Sequence, residues 1–284
     1  MTASLYDVTA QAAAASVIRA YSTSFGMATR LLGPRVRGHV RNVYALVRVA
    51  DEVVDGAAED AGLPVEAQRT VLDDLEAETL AAMASGFSSN LIVHAFALTA
   101  RECAITPDHV RPFFASMRTD LERTSHDDAS HDDYVYGSAE VVGLMCLQTF
   151  VNAGRPGRPV PADETLVTGA RRLGAAFQDI NFLRDHADDA ERLGRDYVGV
   201  GDPARRAALL DRIDADLDAA AATVPLLPRD CRAAVATAHG LFASLARRLR
   251  EAGATDARIR VPNAVKATIA ARSAAGIRPR RRLV

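Results

Sequence analysis

Apolar residues along this chain recur at spacings of three and four, which is the repeat of an amphipathic helix. The segment 35–55 shows the pattern clearly, with Val40, Val43, Tyr44 and Val47 on one face. Glycine and proline interrupt the pattern at short intervals and mark the ends of the segments. The pattern predicts helices at about 5–30, 35–55, 65–84, 89–104, 107–122, 131–152, 162–193, 203–222, 228–252 and 262–274.

No alternating pattern typical of strands has a useful length, and no repeat or domain linker is evident. Hydrophobic residues make up 49% of the 284 positions and aromatic residues only 5%, so a large core of small and aliphatic side chains is available. Ala, Leu and Arg are abundant and favour helices. We therefore expect one all-α domain of nine or ten helices over residues 1–284, with a basic tail at 278–284.

Charge and cysteine usage narrow the class of protein further. A net charge of -2 gives no general attraction to nucleic acid. Cys103, Cys146 and Cys231 lie far apart, which fits unpaired thiols in a reducing compartment. The longest apolar run, residues 141–147, is too short for a membrane span, and no signal peptide is evident. We therefore expect a soluble, cytoplasmic protein. The lack of a GxGxxG motif disfavours NADPH as a cofactor.

Two aspartates four residues apart are the first candidates for chemistry. Asp51 and Asp55 share a helix face with Tyr44 and Arg48, so they project from the apolar side of the predicted helix. Burying two like charges is costly unless a cation lies between them. Mg²⁺ suits this role because it prefers hard oxygen ligands and often binds carboxylates together with phosphate. A solvated or capping role is the alternative, since such pairs also arise by chance.

A second polar stripe makes the metal hypothesis stronger. Gln178, Asn181, Asp185 and Asp189 share one face of an otherwise apolar helix, and Arg184 beside them offers the planar donor fork suited to phosphate. Another cation and a phenol follow directly, at Arg195 and Tyr197. Two such stripes predict a site in which Mg²⁺ ions hold a diphosphate between facing helices. Ionisation of an allylic diphosphate needs this arrangement, with an apolar wall that shelters the carbocation.

These motifs closely resemble the squalene/phytoene synthase family of head-to-head prenyltransferases, and bacterial phytoene synthases in particular. Three blocks carry the resemblance: residues 21–25 (YSTSF), 44–55 and 178–197. Residues 134–143 resemble the small-residue central helix of the family, and residues 258–266 resemble its C-terminal segment. The resemblance implies an isoprenoid synthase fold with a central cavity lined by helices.

The resemblance also implies roles for individual residues. Two or three Mg²⁺ ions would be bound directly or through water by Asp51, Asp55, Asn181, Asp185 and Asp189. The diphosphate side would comprise Ser22, Ser24, Tyr44, Arg48, Gln178, Arg184, Arg195 and Tyr197. The catalytic set would comprise Asp51, Asp55, Asn181, Asp185, Tyr44 and Arg48.

The implied reaction joins two geranylgeranyl diphosphates head to head through a cyclopropylcarbinyl diphosphate and yields phytoene, a carotenoid precursor. One alternative keeps the ionisation and transfers a short prenyl group, such as dimethylallyl, to an aromatic acceptor such as a carbazole. A third hypothesis is a non-catalytic helical assembly factor. The intact acidic motifs argue against this last hypothesis.

Some positions depart from the family pattern or leave alternatives open. Glu140 replaces a usual glycine, so it either faces outward or narrows the cavity, and Phe242 replaces a frequent tyrosine. The polar stretch 126–133 is predicted to be a solvated loop and helix cap rather than a metal site. The tail 278–284 is expected either to be solvated or to contact anionic membrane peripherally. The sequence predicts no oligomeric state.

Overall fold

The computed structural model describes residues 3–122, 128–193, 202–253 and 259–277, and describes only the backbone at 128–129 and 186–193. Within these ranges the regular structure is helical, without strands. The helices are α1 (Leu5–Tyr21), α2 (Ser24–Arg30), α3 (Pro34–Val54), α4 (Ala57–Asp60), α5 (Val65–Ser85), α6 (Leu91–Cys103), α7 (Pro107–Glu122), α8 (Asp128–Val135), α9 (Val141–Asn152), α10 (Glu164–Leu193), α11 (Pro203–Thr223), α12 (Arg229–Ala252) and α13 (Asn263–Ala274). A π-helical turn, Tyr136–Glu140, joins α8 to α9, and a 3₁₀ turn, Val224–Leu226, joins α11 to α12.

The predicted helices agree with these bounds, but their number is too low. The helix predicted at 5–30 is two helices, because Ser22 adopts an extended backbone conformation. Its hydroxyl oxygen accepts a hydrogen bond from the Phe25 N–H at 3.0 Å and so begins the next helix. Serine favours such local bonds over helix interiors. The short helix α4 is also absent from the prediction. The single helix predicted at 131–152 is instead α8 and α9 with the π-helical turn between them.

Two apolar cores lie on either side of a central cavity. One is built mainly from α3, α5, α6, α7 and α9, around Phe96, Phe113 and Phe114. The other joins α10, α11 and α12 around Ile180 and Ile213. Members of both cores line a cavity of about 1750 Å³. The expected helix-lined cavity is therefore present, and α3 and α10 contribute to its wall.

Close packing around the π-helical turn depends on glycine. A Cβ atom on Gly137 would lie 2.1 Å from Ser116 Oγ, so α7 approaches only because no side chain is present. On the other side, a Cβ on Gly174 would lie 2.7 Å from the Ala139 carbonyl oxygen. The close approach of α10 to the turn therefore depends on Gly174 of α10. The turn itself needs no glycine at position 140, where the chain has Glu140.

The prediction of a solvated loop at 126–133 is wrong at His131. This side chain is buried, and its Nε2 lies 2.9 Å from Oδ1 of the fully buried Asp179 on α10. Arg212 on α11 donates to the other oxygen of Asp179 at 3.0 Å. Residues 126 and 127 lie outside the described part of the chain. The contact with Asp179, which no local pattern reveals, provides a partner for Nε2 of this buried histidine.

The expected state of the thiols is confirmed, because Cys103, Cys146 and Cys231 are all free. Burial raises the pKa of each thiol to about 12. None of the helices described is both long enough and apolar enough to cross a membrane.

Candidate active site

The predicted site residues that the structure describes meet at the central cavity. Those that line it are Ser22, Ser24, Tyr44, Arg48, Asp51, Asp55, Gln178, Asn181, Arg184 and Asp185. Asp189 lies on α10, where only the backbone is described. Arg195 and Tyr197 lie outside the described ranges. The two stripes, separated by more than a hundred residues in sequence, therefore line one chamber.

The acidic end of α3 holds carboxylates that share one nearby cation. Arg48 lies 3.7 Å from Asp51 Oδ2 and also pairs with Glu52. Burial raises the pKa of Asp51 to about 7; the Arg48 guanidinium opposes this rise, and the carboxylates of Asp55 and Glu52 add to it. Asp55 caps the helix, and its N–H donates to the Asp51 carbonyl at 2.8 Å. Arg48 is therefore the described cation that offsets the charges of both Asp51 and Glu52.

Arg48 is held in place from two sides. Its guanidinium lies over the ring of Tyr21, 4.6 Å from the centroid. The second oxygen of Glu52 accepts the Ala57 N–H at 3.1 Å, which ties the carboxylate to the start of α4. The guanidinium therefore reaches the cavity in an orientation fixed by an aromatic face and a carboxylate, as a planar phosphate-binding group requires.

One helical turn before Arg48, Tyr44 brings a phenol to the same wall. Burial raises its pKa, whereas Arg48 and a hydrogen bond with the Ser22 side chain lower it. The phenol is therefore neutral and able to donate a hydrogen bond at ordinary pH. Ser22 adds a hydroxyl group from the junction of α1 and α2, so three helices supply polar groups here.

The α10 stripe faces the cavity with a different balance of charge. Gln178 and Asn181 offer amide groups. The neighbouring Arg184 donates to both carboxylate oxygens of Asp185 through Nε and a terminal nitrogen, with Nε 2.8 Å from Oδ1. The cavity side of α10 thus presents amide and carboxylate oxygens and one guanidinium group.

The donor set fits magnesium. Asp51, Asp55, Asn181 and Asp185 offer only carboxylate and amide oxygens, which are the hard ligands that this ion prefers. The raised pKa of Asp51 marks a carboxylate that lacks sufficient positive charge around it. A divalent cation between the helices would supply that charge.

Aromatic rings form the cavity wall beside these polar groups. Phe177 on α10 and Phe242 on α12 are stacked, with centroids 3.8 Å apart and planes inclined by 18°. Phe25 on α2 lies 5.9 Å from Phe177 and 5.7 Å from Phe242, and 6.4 Å from Tyr44 on α3. Four helices therefore contribute one continuous aromatic surface, which we call the aromatic wall (Phe25, Tyr44, Phe177, Phe242).

The structure resolves the alternatives at Glu140. Its side chain pairs with Arg171 and lines a separate cavity of about 450 Å³, so it faces away from the central cavity and does not narrow it. Arg171 also lies over the ring of Tyr136, 5.2 Å from its centroid. Phe242 lacks the hydroxyl group that a tyrosine would have, so the aromatic wall is apolar at this position.

One polar pair in the cavity was missed by the sequence analysis. The Tyr134 hydroxyl donates to Asp120 Oδ2 at 3.0 Å, and both side chains are buried in the cavity wall. The signal was available, because Asp120 lies seven residues after Phe113 and three after Met117, which places all three on one face of α7. A carboxylate on the apolar face of a helix is the same signal that identified Asp51.

Comparison with known proteins places the chain in a family. The family model described as squalene/phytoene synthase matches residues 18–200, which is more than half of the chain. A 15-cis-phytoene synthase from a Paracoccus species is 30% identical over 271 residues, covering 87% of this chain and 84% of that protein. Phytoene synthase 3 from maize, a chloroplast protein, is 31% identical over 187 residues, but the match spans only 41% of its length.

Solved structures share the fold. A dehydrosqualene synthase crystallised with a ligand superposes with a TM-score of 0.80 at 21% identity, covering 95% of this chain and 97% of the other. The squalene synthase of Alicyclobacillus acidocaldarius gives 0.74 at 20% identity, with 88% and 96% covered. The all-α fold with a central cavity is the fold of these synthases, as the resemblance implied. The chain belongs to the squalene/phytoene synthase family, and the family supports an enzyme of the prenyltransferase type.

Proposed function

We propose that this chain joins two C20 allylic diphosphates, geranylgeranyl diphosphate, head to head in a magnesium-dependent reaction that yields phytoene for carotenoid biosynthesis. The observation that carries the proposal is one large cavity that is lined by the acidic stripes of both α3 and α10 and by many apolar and aromatic side chains. The phytoene synthases among its relatives support the choice of product.

The size of the cavity supports two long substrates. Its volume of about 1750 Å³ exceeds the roughly 300–1,000 Å³ of ordinary small-molecule sites. Apolar and aromatic side chains from several helices also line this cavity, which suits a prenyl chain. A single short substrate would leave most of this space empty, which favours a pair of long chains.

Ionisation of the first substrate is the step for which the polar end is built. Bound Mg²⁺ would neutralise the negative charge that develops on the leaving diphosphate. Arg48 and Arg184 supply further positive charge, and the Tyr44 phenol donates a hydrogen bond to an anionic oxygen. Because these groups are fixed by Tyr21, Glu52 and the helix backbones, they need little reorganisation as the C–O bond breaks.

The reaction steps that follow ionisation depend on excluding water from the cavity. The allylic cation alkylates the double bond of the second chain, and loss of one proton closes a cyclopropylcarbinyl diphosphate. Departure of the second diphosphate, rearrangement and loss of a second proton give the C40 hydrocarbon. The aromatic wall lies beside the polar end, where its ring faces stabilise positive charge and keep water away. No reductant is consumed, so we propose that NADPH is not required.

The test is product analysis with purified full-length protein, Mg²⁺ and C10, C15 or C20 allylic diphosphates, without NADPH. We expect a C40 hydrocarbon and two diphosphates released per product from the C20 substrate. Asp51→Asn should abolish both signals. Asp74→Asn changes an exposed carboxylate of α5 that forms no ion pair with a described residue; it is the matched control and should retain them. Consumption of C20 diphosphate without a C40 product would contradict the proposal.

A second candidate is transfer of a short prenyl group such as dimethylallyl to an aromatic acceptor, for example a carbazole. The aromatic wall favours it, because stacked rings next to the leaving-group site suit a planar partner. A prenylated acceptor formed from dimethylallyl diphosphate, with no head-to-head product from any chain length, would support this candidate over the first. The assembly-factor hypothesis has no such support, since the acidic stripes line the cavity.

A further inference from the structure

Positive charge is concentrated in the first helices, although the whole chain is slightly acidic. Residues 8–50 contain six arginines and no aspartate or glutamate, whereas the net charge of the chain is -2. Overall composition conceals this asymmetry. A local excess of this size attracts anions even when the total charge does not.

Four of these arginines form one surface, which we call the α1–α3 basic surface. Arg19 on α1 and Arg30 at the end of α2 are exposed, and Arg37 and Arg41 lie one turn apart on α3. None of the four has an ion-pair partner among the described residues. The other two arginines of the segment differ, because Arg35 pairs with Asp230 and Arg48 with Asp51 and Glu52.

The four guanidinium groups are close enough to affect one another. The pKa of Arg41 lies below its usual value because of burial and because of the positive charges of Arg37, Arg19 and Arg30, and no described carboxylate offsets them. Arg37 is anchored through hydrogen bonds to the Leu32 carbonyl at 3.0 and 2.6 Å. Holding unpaired like charges together is unfavourable in the free protein, so an external anion would relieve the repulsion.

Residues adjacent in sequence to three of these arginines line the cavity. Arg19, Arg30 and Arg41 directly follow Ile18, Thr29 and Val40, which line the cavity wall. Beside them, Tyr21 and Phe25 leave 52% and 36% of their surface exposed although both also line the cavity. Exposed aromatic rings next to basic side chains are the combination that anchors proteins at a membrane interface.

We infer that the α1–α3 basic surface docks the protein on an anionic lipid bilayer, with the cavity beside the membrane. The inference rests on the proposed function, because long-chain prenyl substrates and a C40 hydrocarbon partition into lipid rather than water. A bilayer fits better than nucleic acid, since the charges are spread over three helices and flanked by exposed aromatic rings. The four arginines belong to residues 19–41, whereas the basic tail predicted from the sequence is residues 278–284.

The experiment is vesicle sedimentation with the full-length protein. Vesicles of one-third phosphatidylglycerol in phosphatidylcholine are compared with pure phosphatidylcholine at low salt. Each arginine near an anionic surface contributes about a fivefold factor in binding, so Arg19→Gln with Arg30→Gln should weaken binding about 25-fold. Arg111→Gln with Arg205→Gln removes two exposed, unpaired arginines from α7 and α11 and should have little effect. Binding of the unaltered protein should fall as salt is raised.

Several outcomes would overturn the inference: equal binding to neutral vesicles, equal loss in the control variant, or unchanged binding of the Arg19/Arg30 variant. Loss of binding on removal of 278–284 alone, with the double variant unaffected, would assign the contact to the tail instead. Tighter binding to a short DNA duplex than to anionic vesicles would exclude a lipid surface. Turnover of detergent-solubilised C20 diphosphate is measured in parallel and should survive in the Arg19/Arg30 variant. If the unaltered protein binds vesicles but shows no turnover, the proposed function is contradicted and the membrane-docking inference is not.

Discussion

Asp51 and Asp179 are both aspartates on packed helices, yet their surroundings are opposite. Asp179 lies on the rear of α10, fully buried, and its two oxygens are bound by His131 at 2.9 Å and Arg212 at 3.0 Å. Asp51 faces the cavity, shares one cation at 3.7 Å with Glu52, and has a pKa raised to about 7. A carboxylate with a full set of partners holds helices together, whereas one with too few remains available to bind an external cation.

The largest effect that this comparison predicts is on turnover. Asp51→Asn keeps the shape of the side chain but removes the negative charge, so magnesium and the diphosphate are held less well as the C–O bond breaks. We expect turnover to fall by about 10²–10³-fold, the range for loss of one electrostatic contact at a reacting centre. Diphosphate release under saturating substrate measures it. Turnover within twofold of the unaltered protein would show that Asp51 is not part of the site.

Asp179→Ala should instead affect folding. The substitution leaves the buried His131 without its partner and leaves Arg212 with only its exposed contact to Asp132. We expect a loss of about 2–3 kcal/mol of unfolding free energy after allowing for the solvent around Arg212. Thermal unfolding, followed by circular dichroism, should shift down by roughly 5–10 °C. Turnover per folded molecule at low temperature should be retained. A large loss of turnover with unchanged melting would reverse the roles of the two aspartates.

Asp51→Asn should also make the metal-free protein more stable at alkaline pH. The folded state keeps a proton on Asp51 up to about pH 7, whereas the unfolded chain loses it near pH 4. Stability of the metal-free protein therefore falls as pH rises between those values, and the full penalty applies above pH 7. Because the side chain also contacts water in the cavity, we expect asparagine to recover only about 1 kcal/mol at pH 8. Asparagine should recover no stability at pH 4. An equal gain in unfolding free energy at pH 4 and pH 8 would exclude the raised pKa of Asp51 as the cause.

The smallest effect is expected at Glu140. Its partner Arg171 is half-exposed and both face the small cavity, so Glu140→Gln should change unfolding free energy by less than about 1 kcal/mol. Turnover and product length should not change. A shift in product length would mean that the side chain reaches the central cavity during the reaction.

Much of the fold and of the site could be predicted from the sequence, because both depend on local spacing. The repeat of three and four residues locates the helices, and carboxylates on apolar stripes identify Asp51 and Asp185. Long-range partners could not be predicted in this way. The burial of His131 depends on Asp179, and the outward direction of Glu140 depends on Arg171, in each case a residue more than thirty positions away. The break at Ser22 was predictable in principle, since its hydroxyl begins the next helix locally.

The most direct test of the account is the position of metal ions in crystals soaked with Mn²⁺ and an unreactive C20 thiodiphosphate. Anomalous diffraction from manganese locates the ions without reference to activity. We expect peaks between the Asp51–Asp55 end of α3 and the Asn181–Asp185 segment of α10, and none at Asp179. Peaks elsewhere, or a diphosphate bound in the cavity with no metal beside these residues, would contradict the account.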